Sequence, residues 1–248
     1  MYPGSWHKLY GDKTGYSAKS ILPTIVELFE ARSTLEIGCG NGHWTQVAID
    51  AGVKDYFAVD GPWTDPKKLL FDPSHFRVAN LEEGLSVNRR YDLAICLEVA
   101  EHVSAASSKT LVQSLASASD IVLFGAAVKY QGGHGHINEQ RQSYWRDLFQ
   151  QAGYQPFDLV RPRVWNNTGV HYWYRQNAFV YISDKNASAL ARAKKDEREI
   201  CDSKIFFDAI HPEKYELMAS YEAIALKRLL RALPSWLAVK VGEKFKRT

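Results

Sequence analysis

The chain has 248 residues, with 31 Lys+Arg against 28 Asp+Glu for a formal net charge of +3, and 46% of its residues are hydrophobic. That describes a globular protein long enough for one large domain with appendages, and one too nearly neutral to call for a nucleic-acid partner unless its charge is concentrated somewhere. Three cysteines, Cys39, Cys96 and Cys201, form no CxxC pair, which argues against a disulfide framework and for a reducing, cytoplasmic setting.

The opening "MYPGSWHKLYGDK" lacks the basic and apolar regions of a signal peptide, and no apolar run approaches the roughly 20 residues needed to span a bilayer. A helix is expected over 18–30, then a strand at 33–38 ("STLEIG"), a helix at 43–51, and strands at 55–60 ("DYFAVD"), 75–80 ("HFRVAN") and 91–97 ("YDLAICL"). A helix at 107–118, a strand at 120–126 ("DIVLFGA") and a helix at 139–152 that stops at Gly153 follow, and then strands at 157–161 ("FDLVR") and 177–183 ("NAFVYIS"). Apolar strands alternating with amphipathic helices predict an α/β fold with a Rossmann-like, mostly parallel sheet, closed by an antiparallel addition.

Past residue 184 the sequence becomes helical and charged, so the expected organisation is a domain over 1–183, with 1–29 as an N-terminal cap and helix, and a helical C-terminal appendage over 184–248. From Leu226 onward seven basic residues face one acid, Glu243, a local charge of +6 that leaves −3 on the rest. Mixed with Leu, Trp, Val and Phe, the 226–248 tail has the composition of a helix lying on an anionic membrane surface. A dimer contact or a helix packed on the core accounts for it as well.

The first strand runs into "EIGCGNGHW", a GxGxG loop of Gly38, Gly40 and Gly42 between strand and helix. Glycines there permit a tight turn and close approach of a ligand, and a helix N-terminus offers free N–H groups. Glu36 stands two positions before the first glycine and Asp60 ends the next strand about 20 residues on, where a carboxylate grips ribose hydroxyls. The third glycine of GxGxxG is missing, which counts against a dinucleotide.

"LEIGCGNGHW", "AVDG", "VANLEEG" and "YDLAICLEVAEHV", in this order and spacing, resemble the class I S-adenosylmethionine (SAM) dependent methyltransferases over roughly residues 30–183. The resemblance implies that Gly38, Gly40 and Gly42 lie beside the methionine part of SAM, with Glu36 and Glu98 nearby, and that Asp60 binds the ribose. Asn80, with Leu81 next to it, stands where the family usually has an aspartate for the adenine; an asparagine oxygen accepts the same bond. The product would be S-adenosylhomocysteine.

In that fold the end of strand four faces the transferred methyl group, which draws attention to "LEVAEHV" with Glu98, Glu101 and His102, and to the glycine-rich "KYQGGHGHINEQ" with His134 and His136. Three readings of Glu98, Glu101, His102 and His136 stand open. They fix the loop by hydrogen bonds; a histidine, His136 or His102, is the general base; or the four bind a divalent metal, Mg, Mn or Zn, that holds acceptor oxygens. The ExxEH followed by a distant His is similar to the small-RNA 3′-terminal methyltransferases.

Downstream, "RPRVWNNTGVHYWYRQN" mixes aromatics with amide and guanidinium donors. Trp165, Tyr172 and Arg175, with Tyr10, Tyr16 and His134, are candidate acceptor contacts suited to a sugar, although core and sheet edge explain the aromatics equally well. The combination looks like methyltransferase-type proteins of bacterial surface-glycan synthesis. The function expected is O-methylation of a glycan or similar polyhydroxylated acceptor, free or lipid-linked, in the cytoplasm or at the inner membrane face. The rivals are a metal-dependent RNA 3′-end 2′-O-methyltransferase, against which the core's −3 counts, and a non-catalytic SAM-fold scaffold.

Overall fold

The computed structural model describes residues 4–200 and 207–219. In chain order it runs α1 (Gly4–Phe29), β1 (Ser33–Ile37), α2 (His43–Asp50), β2 (Asp55–Asp60), β3 (Phe76–Val78), β4 (Leu93–Leu97), α3 (Ser108–Ala118), β5 (Ile121–Gly125), α4 (Gln142–Gln151), β6 (Tyr154–Phe157), α5 (Arg161–Val164), α6 (Tyr172–Asn177), β7 (Phe179–Ser183), α7 (Ala187–Ile200) and α8 (Pro212–Ala219). The seven strands form one sheet in the order β3-β2-β1-β4-β5-β7-β6. The first five are parallel, β7 runs antiparallel beside β5, and β6 antiparallel beside β7. This is the expected α/β, Rossmann-like architecture with an antiparallel addition.

Period-two alternation distributes the strands between two cores. Leu93, Ile95 and Leu97 of β4 pack with Ile21, Leu22 and Ile25 of α1, Trp44 and Val47 of α2 and Leu190 of α7. Ala94 and Cys96 of the same strand face Leu111 and Leu115 of α3 and Trp145 and Phe149 of α4. In β1, Leu35 and Ile37 join the α3/α4 core, so the alternate residue Glu36 points toward α2.

Three expectations need correction. The strand placed at 157–161 lies at Tyr154–Phe157, and Arg161–Val164 is a helix turn. Pro156 is tolerated because β6 is the outermost strand, bonded on one side only. The aromatic stretch at 161–177 forms α5 and α6 rather than sheet edge. The chain divides into units Met1–Ala209 and Ile210–Thr248, so α7, assigned from sequence to an appendage beginning at 184, belongs to the first unit, where Ala189, Leu190 and Ala193 are buried. The tail at 226–248 and Cys201 lie outside the described residues, whereas Cys39 and Cys96 are free and buried. Among the described residues no helix is long and apolar enough to cross a membrane.

Helix α1 begins well before residue 18 and carries Gly15 and Pro23 inside it. Gly15 lies against α2, where a Cβ would come within 3.3 Å of His43 Nδ1. Further along, the Ser17 hydroxyl accepts from the His171 N–H at 3.1 Å. The helix thus lies across both the start of α2 and the segment before α6.

Candidate active site

The loop joining β1 to α2 holds Gly38, Gly40 and Gly42 at φ of 79°, 55° and 82°, conformations that side-chain-bearing residues avoid. Space is equally restrictive: a Cβ at Gly38 would lie 2.2 Å from Val99 Cγ2, and one at Gly42 2.2 Å from Phe71 Cε1. The contact with Val99 sets the loop against the turn that carries Glu98, Glu101 and His102. The N–H groups of Gly38 and Cys39 both donate to the Val59 carbonyl, at 2.8 and 3.2 Å, fixing the loop to the end of β2.

Two buried carboxyl groups support this loop. Asp60 accepts from the Gly40 and Gly61 N–H groups, each at 2.6 Å. Burial raises its pKa, opposed by those two donors and by the Thr64 and Trp63 side chains. Trp63 is 59% exposed, so a diol arriving at Asp60 can exchange with it. Glu36 receives the Thr45 N–H at 2.8 Å and the Thr45 hydroxyl, and burial pushes its carboxyl up to about 8. A folded-state pKa above the unfolded one means that this contribution to stability is complete below about pH 4.5 and lost as pH rises through about 8. Glu36→Gln, which keeps an acceptor for Thr45, is expected to melt like the wild type at pH 5 and above it at pH 9; equal melting curves at both pH values would refute the assignment.

Asn80 is exposed at the end of β3. Its amide oxygen accepts from Glu82 N at 3.2 Å and its amide nitrogen donates to Glu83 at 2.8 Å, leaving one oxygen lone pair for a ligand. Leu81 beside it packs on the α3/α4 core.

Past β4 the backbone turns sharply at Glu98, a non-glycine residue at φ 56°. Its carboxyl accepts from Asn177 Nδ2 and Gln131 Nε2, both at 3.0 Å. Asn177 and the Val128 N–H also donate to Gln131 Oε1, at 3.0 and 3.2 Å. Burial raises Glu98 to about 7 against the pull of the two amides. Tyr174, in edge contact with Trp44 at 5.1 Å, is buried near Glu98 and Glu36, and its phenol is pushed up by that burial and by their charges. Gln131, Asn177 and Tyr174 carried no motif in the sequence; the topology brings them in from the segments after β5 and before β7.

Glu101, His102 and His136 form the second group. Each offers one ligand atom, all within 4.8 Å of one another. Glu101 is fully buried; burial and the Glu98 charge drive its pKa far upward, against the pull of the Glu101 and Ala127 N–H groups. Its Oε1 lies 3.9 Å from His136 Nε2. His102 Nδ1 donates to the Gly135 carbonyl at 3.2 Å, and burial together with His136 lowers its pKa to about 4. The two imidazoles meet edge to face at 4.8 Å. One buried carboxyl and two imidazoles fit a cation or a proton-bearing acceptor group. Glu98 is not one of the three grouped ligand atoms; its carboxyl is held by Asn177 and Gln131 and also bonds the Glu101 side chain.

The acceptor candidates separate. Arg175 is buried at 2% exposure, with Nη1 donating to the Trp165 carbonyl at 3.1 Å, so it braces the α5/α6 segment rather than meeting an acceptor. Trp165 is half-buried, as is Tyr172, whose ring meets Trp173 edge-on at 5.2 Å. Tyr16 is exposed and packs over Gly169, where a Cβ would lie 2.4 Å from its ring. His134 is exposed on the glycine-rich loop. The side chain of Tyr10 lies outside the described residues.

The family described as "Methyltransferase domain" matches residues 10–159. No curated protein matches the chain. Among solved structures, a S-adenosylmethionine-dependent methyltransferase from Clostridium acetobutylicum superposes with a TM-score of 0.53 at 10% identity, covering 72% of this chain and 98% of that one. Magnesium protoporphyrin IX methyltransferase from Synechocystis, solved with bound SAH, gives 0.51 at 13% identity over 72% and 93% of the two chains. The sugar N-methyltransferase KedS8 from Streptoalloteichus gives 0.50 at 14% identity over 67% and 86%. At these identities the likeness is one of fold.

Proposed function

The chain belongs to the methyltransferase-domain family, and from that premise we propose that it transfers a methyl group from SAM to a hydroxyl of a sugar or similar polyhydroxylated acceptor. SAM supplies an electrophilic methyl on a sulfonium. The loop at Gly38–Gly42 holds its amino-acid portion and Asp60 its ribose, with the remaining Asn80 lone pair available to the base. The SAM-dependent methyltransferase and the SAH-bound protoporphyrin methyltransferase, which share this fold, support the donor, and the sugar N-methyltransferase supports the acceptor class.

The observation that carries the oxygen chemistry is the Glu101, His102 and His136 trio beside the glycine loop. In-line methyl transfer depends mainly on positioning, and a neutral imidazole nitrogen can hold and then remove an acceptor hydroxyl proton. The same three groups would hold a divalent cation, which polarises a bound hydroxyl. Two imidazoles and one carboxylate favour zinc or another first-row transition ion over magnesium. A lipid-linked acceptor, the cytoplasmic membrane face as its location and the basic tail as its anchor complete the reading.

The test is calorimetric titration of SAM into metal-stripped protein, then of Zn, Mn and Mg. Saturable SAM binding without metal is expected, together with a zinc isotherm that His136→Ala removes. No SAM binding under any condition would end the enzyme reading and favour a scaffold.

A further inference from the structure

The loop between β5 and α4 contains a carboxylate that the proposed chemistry leaves without a role. Glu139 Oε1 accepts from His136 Nδ1 at 2.9 Å and from the Gly132 N–H at 2.6 Å, and Oε2 accepts from the Tyr130 N–H at 2.9 Å. One side chain therefore ties both ends of the glycine-rich segment to the imidazole at its centre.

We propose that Glu139 is the positioning residue of the site, holding His136 as its Nδ1–H tautomer so that the Nε2 lone pair faces Glu101 and His102. An ionised carboxylate only accepts hydrogen bonds, so the ring nitrogen bonded to it carries the proton. In the neutral ring the lone pair then lies on Nε2, the atom 3.9 Å from Glu101 Oε1. His102 follows the same logic by a different acceptor: the Gly135 carbonyl takes its Nδ1–H. A single ten-residue loop thus sets the tautomers of both rings.

The backbone around the ring is shaped to this arrangement. Gly133 lies over the imidazole, where a Cβ would come 2.2 Å from Nε2, so any larger residue would displace the nitrogen. Asn138, the next residue before Glu139, is buried and donates to the Ser108 hydroxyl at 2.9 Å, and the Ile137 and Asn138 N–H groups both donate to the Glu101 carbonyl, at 2.9 and 3.0 Å. The carboxylate is therefore mounted on a segment fixed to the same turn that supplies Glu101. A carboxylate bonded to the remote nitrogen of a histidine both orients the ring and raises its basicity, and it serves a metal ligand and a general base alike.

The inference rests on His136 being an active-site group, yet its test needs neither methyl donor, acceptor nor metal. In the full chain labelled with ¹⁵N-histidine and kept at a pH where the ring is neutral, long-range ¹H–¹⁵N correlation should show His136 with a pyrrole-like Nδ1 and a pyridine-like Nε2. Glu139→Gln should move the Nε2 resonance toward the protonated position. It should also accelerate amide exchange at Tyr130 and Gly132 by about tenfold or more, the loss of a bond to a charged acceptor. A wild-type His136 carrying its proton on Nε2, or a Glu139→Gln spectrum unchanged at His136, would overturn the proposal. If Glu139→Gln fails to fold, the wild-type spectrum still decides it. Failure of the methyltransferase reading would appear in the SAM titration and not in these spectra.

Discussion

Gly38→Ala is expected to lose about 2–5 kcal/mol of stability and its affinity for SAM. A side chain held in the left-handed region costs roughly 1–2 kcal/mol, and overpacking a formed core adds about 1–3 kcal/mol. The new methyl would lie 2.2 Å from Val99 Cγ2 and close to the rest of that side chain, and a β-branched valine has few rotamers in which to retreat. For a chain of this size the melting temperature should fall by about 4–20 °C. Gly52→Ala is the control: its φ is +98° but nothing lies within 4 Å of the added Cβ, so it carries the backbone strain alone and should melt between the wild type and Gly38→Ala. Scanning calorimetry with a SAM titration on each variant checks both effects. Matching melting curves for the two variants would show that Val99 does not confine the loop.

Glu101→Met should act in opposite directions on stability and function. Burial and the Glu98 charge oppose an ionised Glu101 more strongly than the Glu101 and Ala127 N–H groups favour it, and burying an incompletely satisfied polar group costs about 1–3 kcal/mol in proteins. An unbranched apolar side chain of similar length removes the cost, so denaturant unfolding should show a gain of roughly that size. The same change removes the carboxylate of the trio, and cation binding should disappear. His136→Ala, which removes the proposed proton acceptor, is expected to lower methyl transfer by about 10²–10⁴-fold. A Glu101→Met protein that is less stable than the wild type would mean that the carboxyl has partners supporting the fold.

What could be read from the residues alone follows the range of the interactions. The glycine loop is local: strand, loop and helix are contiguous, and the positive φ at Gly38 and Gly42 is what glycine in that context announces. Glu101, His102 and His136 were likewise recognisable by type, and the fold brings them together. The amide clasp on Glu98 was not recognisable, because it depends on Asn177, 79 residues away, and on Gln131. Arg175 illustrates the opposite error: a guanidinium among aromatics suggests a sugar site, but its burial against the Trp165 carbonyl makes it a brace. The misplaced strand at 157–161 has a simple cause. Pro156 argues against a strand in general, and only the knowledge that β6 is an edge strand makes Tyr154–Phe157 acceptable.

The antiparallel β7, inserted between β5 and the earlier-synthesised β6, makes the clasp on Glu98 a late event in the life of the nascent chain. Glu98 follows β4, Gln131 follows β5 and Asn177 precedes β7, so the three meet only when the last strand enters the sheet. At roughly 5–20 residues per second of translation, the 79 residues between Glu98 and Asn177 take about 4–16 s to synthesise. For that interval the strained glutamate lacks its asparagine partner, and β6, once made, has no neighbour to pair with until β7 follows. Glu101, His102 and His136 all precede β6, whereas the clasp on Glu98 waits for Asn177, and a truncated product ending before α6 would lack it.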